Sequence, residues 1–139
     1  MDDLIQIKIP ANPKYLKLIR KFVTSICEMA QFSTKESNQI TLAIDEACTN
    51  IIRHAYGGTT TQPIILLTKI LPDRICFILR DFGKKADLEK IKSRHLEDVR
   101  PGGLGVHLIK SVMDTFEFKH LPNGNELILE KLFTTSEEA

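Results

Sequence analysis

Three small groups of residues have types and spacings that suit chemistry. Glu46 and Asn50 stand four residues apart in a stretch, Ser33 to Tyr56, that otherwise reads as a buried-face helix. Asp81-Phe82-Gly83 closes an apolar, β-branched run, placing an acid at a strand end beside a glycine that lets other backbone approach closely. Gly102-Gly103-Leu104-Gly105 precedes another apolar segment. Glycines at the start of a helix leave unpaired amides that, with the helix dipole, favour an anion such as a polyphosphate. Each group alone has an ordinary structural explanation: a solvated helix flank, a strand-end turn, a flexible loop. Their succession in one short chain points instead to a site that binds a phosphorylated ligand.

The elements that must hold these groups follow from hydrophobic periodicity. Ser33 and Glu36 form a capping-box pair, so a helix begins there. Ile40, Ala43, Ile44, Ala47, Cys48, Ile51, Ile52 and Ala55 recur at steps of three and four and make its core stripe. At about 100° per residue, Glu46 and Asn50 fall together beside that stripe, with Arg53 and His54 one turn further on. Gly57 and Gly58 end the helix.

Upstream, Ile5, Ile7 and Ile9 alternate as a strand that Pro10 ends, and Asn12-Pro13 opens a helix reaching about Ala30. Downstream, Ile64 to Leu71 and Arg74 to Arg80 read as a hairpin turning at Pro72-Asp73. A charged segment follows from Lys84 to Arg100, with a weak helical signal near Asp87 to Ile91, and then a short buried helix from Val106 to Asp114. Thr115 to His120 and Glu126 to Leu132 flank Pro122-Asn123-Gly124 as a last hairpin. The order β-α-α-β-β-lid-α-β-β lacks strict β-α alternation. It predicts an α+β two-layer sandwich with a mixed, mostly antiparallel sheet and helices on one face. A single domain spanning 1–139 is expected from length.

Composition narrows the function classes. A net charge of +1 gives no general attraction to nucleic acid or anionic membrane. The absence of an apolar run near the ~20 residues that span a bilayer, and an acidic N-terminus, point to a cytoplasmic protein. Cys27, Cys48 and Cys76 are odd in number and set in apolar segments, so buried free thiols are expected. The four histidines show no zinc-ligand spacing. Asp81-Phe82-Gly83 matches the magnesium motif of eukaryotic protein kinases, but neither a glycine-rich loop near the start nor a His-Arg-Asp loop accompanies it.

LAIDEACTNIIRHAY resembles the N-box of the GHKL superfamily, DFGKKAD its Asp-x-Gly box, and RPGGLGVHLIKSVMD its second glycine box. Within that superfamily the chain is most similar to the bacterial anti-sigma-factor serine/threonine kinases, over nearly its whole length. The resemblance implies the Bergerat ATP-binding fold, with ATP and Mg²⁺ as cofactors. It also implies a role for each matching residue. Glu46 would be the general base, and Asn50 would give its amide oxygen to Mg²⁺. Asp81 would accept the adenine amino proton beside Gly83. Gly102, Gly103, Leu104 and Gly105 would hold the phosphates, with Arg100, Arg53 and His54 in support. One departure stands out: Lys85 occupies a place that is glycine in many superfamily members.

The function so implied is ATP-dependent phosphorylation of a STAS-domain anti-sigma-factor antagonist, with a sigma factor or similar target held in the alternative complex and a homodimer as the assembly. The alternative is a nucleotide-gated switch that sequesters a partner without phosphoryl transfer. Glu46 separates the two, since a pure binder needs no base there. A histidine-kinase catalytic domain would need a phospho-acceptor histidine on a preceding helix pair, and no histidine precedes His54.

Overall fold

A computed structural model describes residues 3–84 and 105–133. The weak helical signal at 87–91, the residues Arg100, Gly102, Gly103 and Leu104, and the C-terminal tail lie outside the described residues. Strand β1 (Asp3–Pro10) leads into a 3-10 turn (Pro13–Tyr15), α1 (Leu16–Met29) and α2 (Thr34–Asn50). After a π turn (Ile51–Ala55) come β2 (Pro63–Ile70), β3 (Arg74–Asp81), α3 (Gly105–Val112), β4 (Thr115–Leu121) and β5 (Gly124–Leu132).

The helix starts obey local chemistry. Ser33 Oγ accepts the Glu36 N–H at 3.0 Å while Glu36 Oε1 receives the Ser33 N–H, which completes the capping box. Asn12 Oδ1 accepts the Lys14 N–H at 3.1 Å, but the turn it caps is 3-10, and the α-helix proper begins at Leu16. The helix read from Ser33 to Tyr56 is α-helical only to Asn50 and then widens into the π turn. Ile51, Ile52 and Ala55 stay on the buried stripe through this turn. Gly57 (φ 74°) and Gly58 (φ 138°) then adopt backbone that a side chain would strain.

Among the described residues five strands form one sheet in the order β1-β2-β3-β5-β4, and its four pairings are antiparallel. Among the described residues three α-helices cover one face, giving the two-layer α+β arrangement expected from the element order. Alternation decides what faces them: Ile64, Leu66 and Thr68 on β2, Ile75, Phe77 and Leu79 on β3, and Leu127 and Leu129 on β5 are buried. The other face carries cross-strand ion pairs, Arg80 with Glu126 at 3.1 Å and Arg74 with Glu130 at 3.3 Å. α1 and α2 are joined on their outer side by Arg20–Asp45 at 2.9 Å and by a Thr24–Thr41 hydroxyl contact at 2.9 Å.

Cys27, Cys48 and Cys76 are buried free thiols. Burial, with Glu28 and Glu36 nearby, pushes Cys27 up to about 12. Burial raises Cys48 and Cys76 as well, so none of the three is poised as a nucleophile. Among the described residues no helix is long and apolar enough to cross a membrane.

Candidate active site

The inward rows of β3 and β5 end in polar groups. On β3 the alternation Ile75, Phe77, Leu79 continues to Asp81, and on β5 Leu129 and Leu127 continue to Asn125. Asp81 and Asn125 are register partners, 4% and 1% exposed, so a carboxylate and an amide close the end of the core. Such burial is tolerable only with hydrogen bonds. Asp81 Oδ1 accepts both the Gly83 N–H at 2.9 Å and an Asn125 Nδ2–H at 2.8 Å. Burial raises the Asp81 pKa, and these two bonds oppose the rise by favouring the ionised form. Since both bonds fall on Oδ1, Oδ2 is the oxygen that can accept from a ligand.

The loop after β3 is docked onto the π turn. The Lys84 N–H donates to the Ala55 carbonyl at 2.9 Å, and a Cβ at Gly83 would run into that same carbonyl. Tyr56 Oη donates to the Pro63 carbonyl at 2.6 Å and accepts the Phe82 N–H at 2.8 Å. Burial is the main cause of a raised Tyr56 pKa, so its hydroxyl keeps the proton that the first bond needs. The end of the π turn is thereby tied to the Asp81 loop through the Ala55 carbonyl and the Tyr56 hydroxyl.

The third group arrives from α3. A Cβ built on Gly105 would lie 3.1 Å from Asn50 Nδ2 and 3.1 Å from Glu46 Oε2, so the first residue of α3 sits directly against the α2 pair. Glu46 and Asn50 are both half-buried, at the border between core and solvent that their spacing predicted. Between these elements lies a cleft of about 480 Å³, counted to its open mouth. Its polar lining is Asn50, Asp81 and Asn125, and its other walls are apolar, among them Ala55, Leu79, Val106 and Phe118. An apolar slot with a few placed polar groups suits a planar heterocycle.

Of the residues singled out in the sequence, Asn50 and Asp81 line the cleft, Gly83 bonds Asp81, and Gly105 stands against Glu46 and Asn50. Glu46, Gly83 and Gly105 are beside the cleft rather than in its lining, and Arg53, exposed, and His54, half-buried, do not line it either. Arg100, Gly102, Gly103 and Leu104 lie outside the described residues. Sequence reasoning missed Asn125 and Tyr56. The signal for Asn125 was its parity with Leu127 and Leu129, which puts it on the core face, where a lone amide demands an explanation. Gly124 was read as part of a turn. In fact Pro122 and Asn123 form the turn, and Gly124 pairs with Leu121 in the ladder. A Cβ there would collide with the Asp81 carbonyl, so close strand approach is what requires glycine.

Residues 9–131 match the family described as the histidine kinase-like ATPase domain. A protein of Oceanobacillus iheyensis named serine-protein kinase RsbW is 32% identical over 120 residues, covering 81% of this chain and 76% of its own length. The chain belongs to the anti-sigma-factor serine kinases of the histidine kinase-like ATPase family. A Bacillus pumilus serine-protein kinase RsbW is 33% identical over 125 residues, covering 83% of this chain and 77% of its own.

Solved structures agree on the fold of this ATPase family. The RsbU and RsbW domains of a Mycobacterium tuberculosis protein superpose with a TM-score of 0.68 at 13% identity, over 94% of this chain and 32% of that longer one. The SiaB–SiaC complex from Pseudomonas aeruginosa gives 0.63 at 14% identity, over 93% of this chain and 89% of that one.

Proposed function

We propose that this protein is an ATP-dependent serine/threonine kinase and anti-sigma regulatory factor. It would phosphorylate a STAS-type antagonist in a cytoplasmic partner-switching system. The observation that carries the reading is the approach of Gly105 to Glu46 and Asn50, so close that a Cβ on it would lie 3.1 Å from each side chain, beside the cleft that Asp81 closes. Base, phosphate-binding turn and heterocycle acceptor are then within one ligand's reach.

The residues divide the work by their chemistry. Asp81 Oδ2 accepts the exocyclic amino group of adenine, whose ring lies between apolar walls. The glycine-rich segment, Gly102 to Gly105, would offer amides to the phosphates, and α3 adds the positive end of its dipole. Arg100, which abuts the glycines in sequence, adds charge there, with Arg53 and His54 as supporting contacts. Asn50 Oδ1 is buried without a hydrogen-bond partner among the described residues, which fits an oxygen ligand for Mg²⁺. That ion, when bound, would neutralise charge on the phosphates. Glu46 takes the proton of the antagonist's serine or threonine hydroxyl as its oxygen bonds to the γ-phosphorus. The bond from that phosphorus to the β–γ bridging oxygen breaks, and ADP leaves.

The whole chain, 1–139, acts in this reading as one domain, working as a homodimer that holds a sigma factor or similar target when the antagonist is phosphorylated. Transfer of labelled phosphate from ATP to a STAS-domain antagonist tests it. Glu46→Ala should lower the transfer rate by a factor on the order of 10²–10⁴ while ATP still binds. Asn50→Ala should lower transfer and raise the magnesium concentration needed for half-maximal rate. Unchanged transfer in both variants would overturn the assignment, and stable complexes without any labelled antagonist in the unmutated protein would favour a binding switch.

A further inference from the structure

Asn125 has a hydrogen-bond pattern that fixes its orientation by chemistry alone. One side of its amide faces Asp81 Oδ1 at 2.8 Å and the Lys84 carbonyl at 3.0 Å. Both are acceptors, so the nitrogen must lie on that side, and its two hydrogens are shared between them. The amide oxygen then faces His120 Nδ1 at 3.1 Å, and because that oxygen only accepts, Nδ1 carries the hydrogen. The His120 ring is itself steadied edge-on against Phe118, with centroids 5.1 Å apart at 80°. His120, Asn125 and Asp81 thus form a directed chain across β4, β5 and β3, each donating to the next.

We infer that Asn125, oriented by His120 and the Lys84 carbonyl, is the positioning residue that keeps Asp81 an acceptor toward the cleft and thereby sets selectivity for a 6-amino over a 6-oxo purine. The inference rests on the proposed reading of Asp81 as the base-binding group. Its logic is one of donors and acceptors. With two donors on Oδ1, any proton Asp81 takes up must sit on Oδ2, the oxygen facing the ligand. An ionised Oδ2 accepts from an amino group, whereas a protonated Oδ2 donates and suits a carbonyl. Removing the Asn125 donor weakens the ionised form, so the site drifts toward the protonated one and its preference erodes.

Other ionisable groups around Asp81 leave this chain intact. Arg80 and Glu126 flank the pair in sequence but point to the opposite sheet face and bind each other at 3.1 Å. On β4, Lys119 points to that same far face. Tyr56 approaches from the π turn with its proton committed to the Pro63 carbonyl. Glu46 on α2 stands at Gly105. Lys84 contributes its backbone carbonyl.

Affinities for ATP and for inosine triphosphate, which carries a 6-oxo group, test the inference when measured by displacement of a fluorescent nucleotide between about pH 5.5 and 8.5. Asn125→Leu should reduce the ATP-to-inosine-triphosphate preference about tenfold at neutral pH, with the midpoint of its pH profile moved upward. Asn125→Thr, which restores a donor, should recover most of the preference. His120→Phe keeps the ring contact with Phe118 but removes the Nδ1 donor, and should cost roughly threefold in the same direction. A folded Asn125→Leu protein with wild-type preference and pH profile overturns the inference. If that variant does not fold, an unchanged preference in His120→Phe does so. Asp81→Asn separates the two levels: if it leaves ATP affinity intact, the base-binding reading itself fails. If it removes the preference while Asn125→Leu does not, only the role of Asn125 falls.

Discussion

Asp81 shows how one residue's environment sets both stability and binding. Burial raises its pKa, so the folded protein binds a proton more readily than the unfolded chain. The sign follows: above the folded pKa the ionised carboxylate is a cost to the empty protein, and that cost is relieved as pH falls through the folded value. Ligand binding runs the other way, because the amino group of adenine needs the ionised form. ATP affinity should therefore weaken as pH falls through the raised Asp81 pKa, in a range where the unliganded protein gains stability from this group. Calorimetric titration of ATP across pH, with thermal melts of the empty protein alongside, checks both slopes. Asp81→Asn should flatten the Asp81 component of each, lower ATP affinity about tenfold or more, and leave the neutral-pH melt no lower. Parallel slopes for affinity and empty-protein stability would contradict the account.

Among the elements, β5 and the π turn position the site. Gly124 lets β5 approach so closely that Asn125 reaches Asp81, and Gly83 lets the loop after β3 lie against Ala55. Gly57 differs in kind: its φ of 74° requires glycine, but nothing stands within 4 Å of where its Cβ would be. Replacing each by alanine should separate the two uses. Gly124→Ala must push backbone away from Asp81 and should cost about 1–3 kcal/mol in stability together with a loss of ATP affinity. Gly57→Ala should cost about 1 kcal/mol through strained backbone while ATP affinity is kept. Chemical denaturation paired with ATP titration distinguishes them, and equal effects on affinity would count against the close-approach role of Gly124.

For the whole molecule, binding and folding are linked because the site is assembled from α2, the π turn, β3, α3 and β5 together. The unfolded chain has no such site, so nucleotide stabilises only the folded state. ATP at about 100 times its dissociation constant should add about 2.7 kcal/mol. For a chain of 139 residues that is a rise in Tm on the order of 10 °C. Differential scanning calorimetry with and without ATP measures it. Asp81→Asn, with affinity lowered about tenfold or more, should cut the rise to about half or less at the same ATP concentration, and a wild-type melt indifferent to ATP would remove the cleft from consideration as the nucleotide site.

What the sequence by itself determined was periodic or carried by short contiguous motifs. The α2 stripe with Glu46 and Asn50 beside it, the β2–β3 hairpin, the buried thiols and the two glycine-containing boxes were legible because each depends on near neighbours in the chain. The length of α2 was less so: Ile51, Ile52 and Ala55 keep the apolar spacing of an α-helix, so nothing in the sequence marks the change to a π turn after Asn50. Only the tertiary structure decided that Asn125 pairs with Asp81, since their register crosses 44 residues of chain. The same holds for Tyr56 joining Pro63 to Phe82, and for Gly105 arriving against Glu46 and Asn50. Side-chain type and spacing thus nominated the reacting groups, while strand register and close backbone approach fixed the partners that hold them in place.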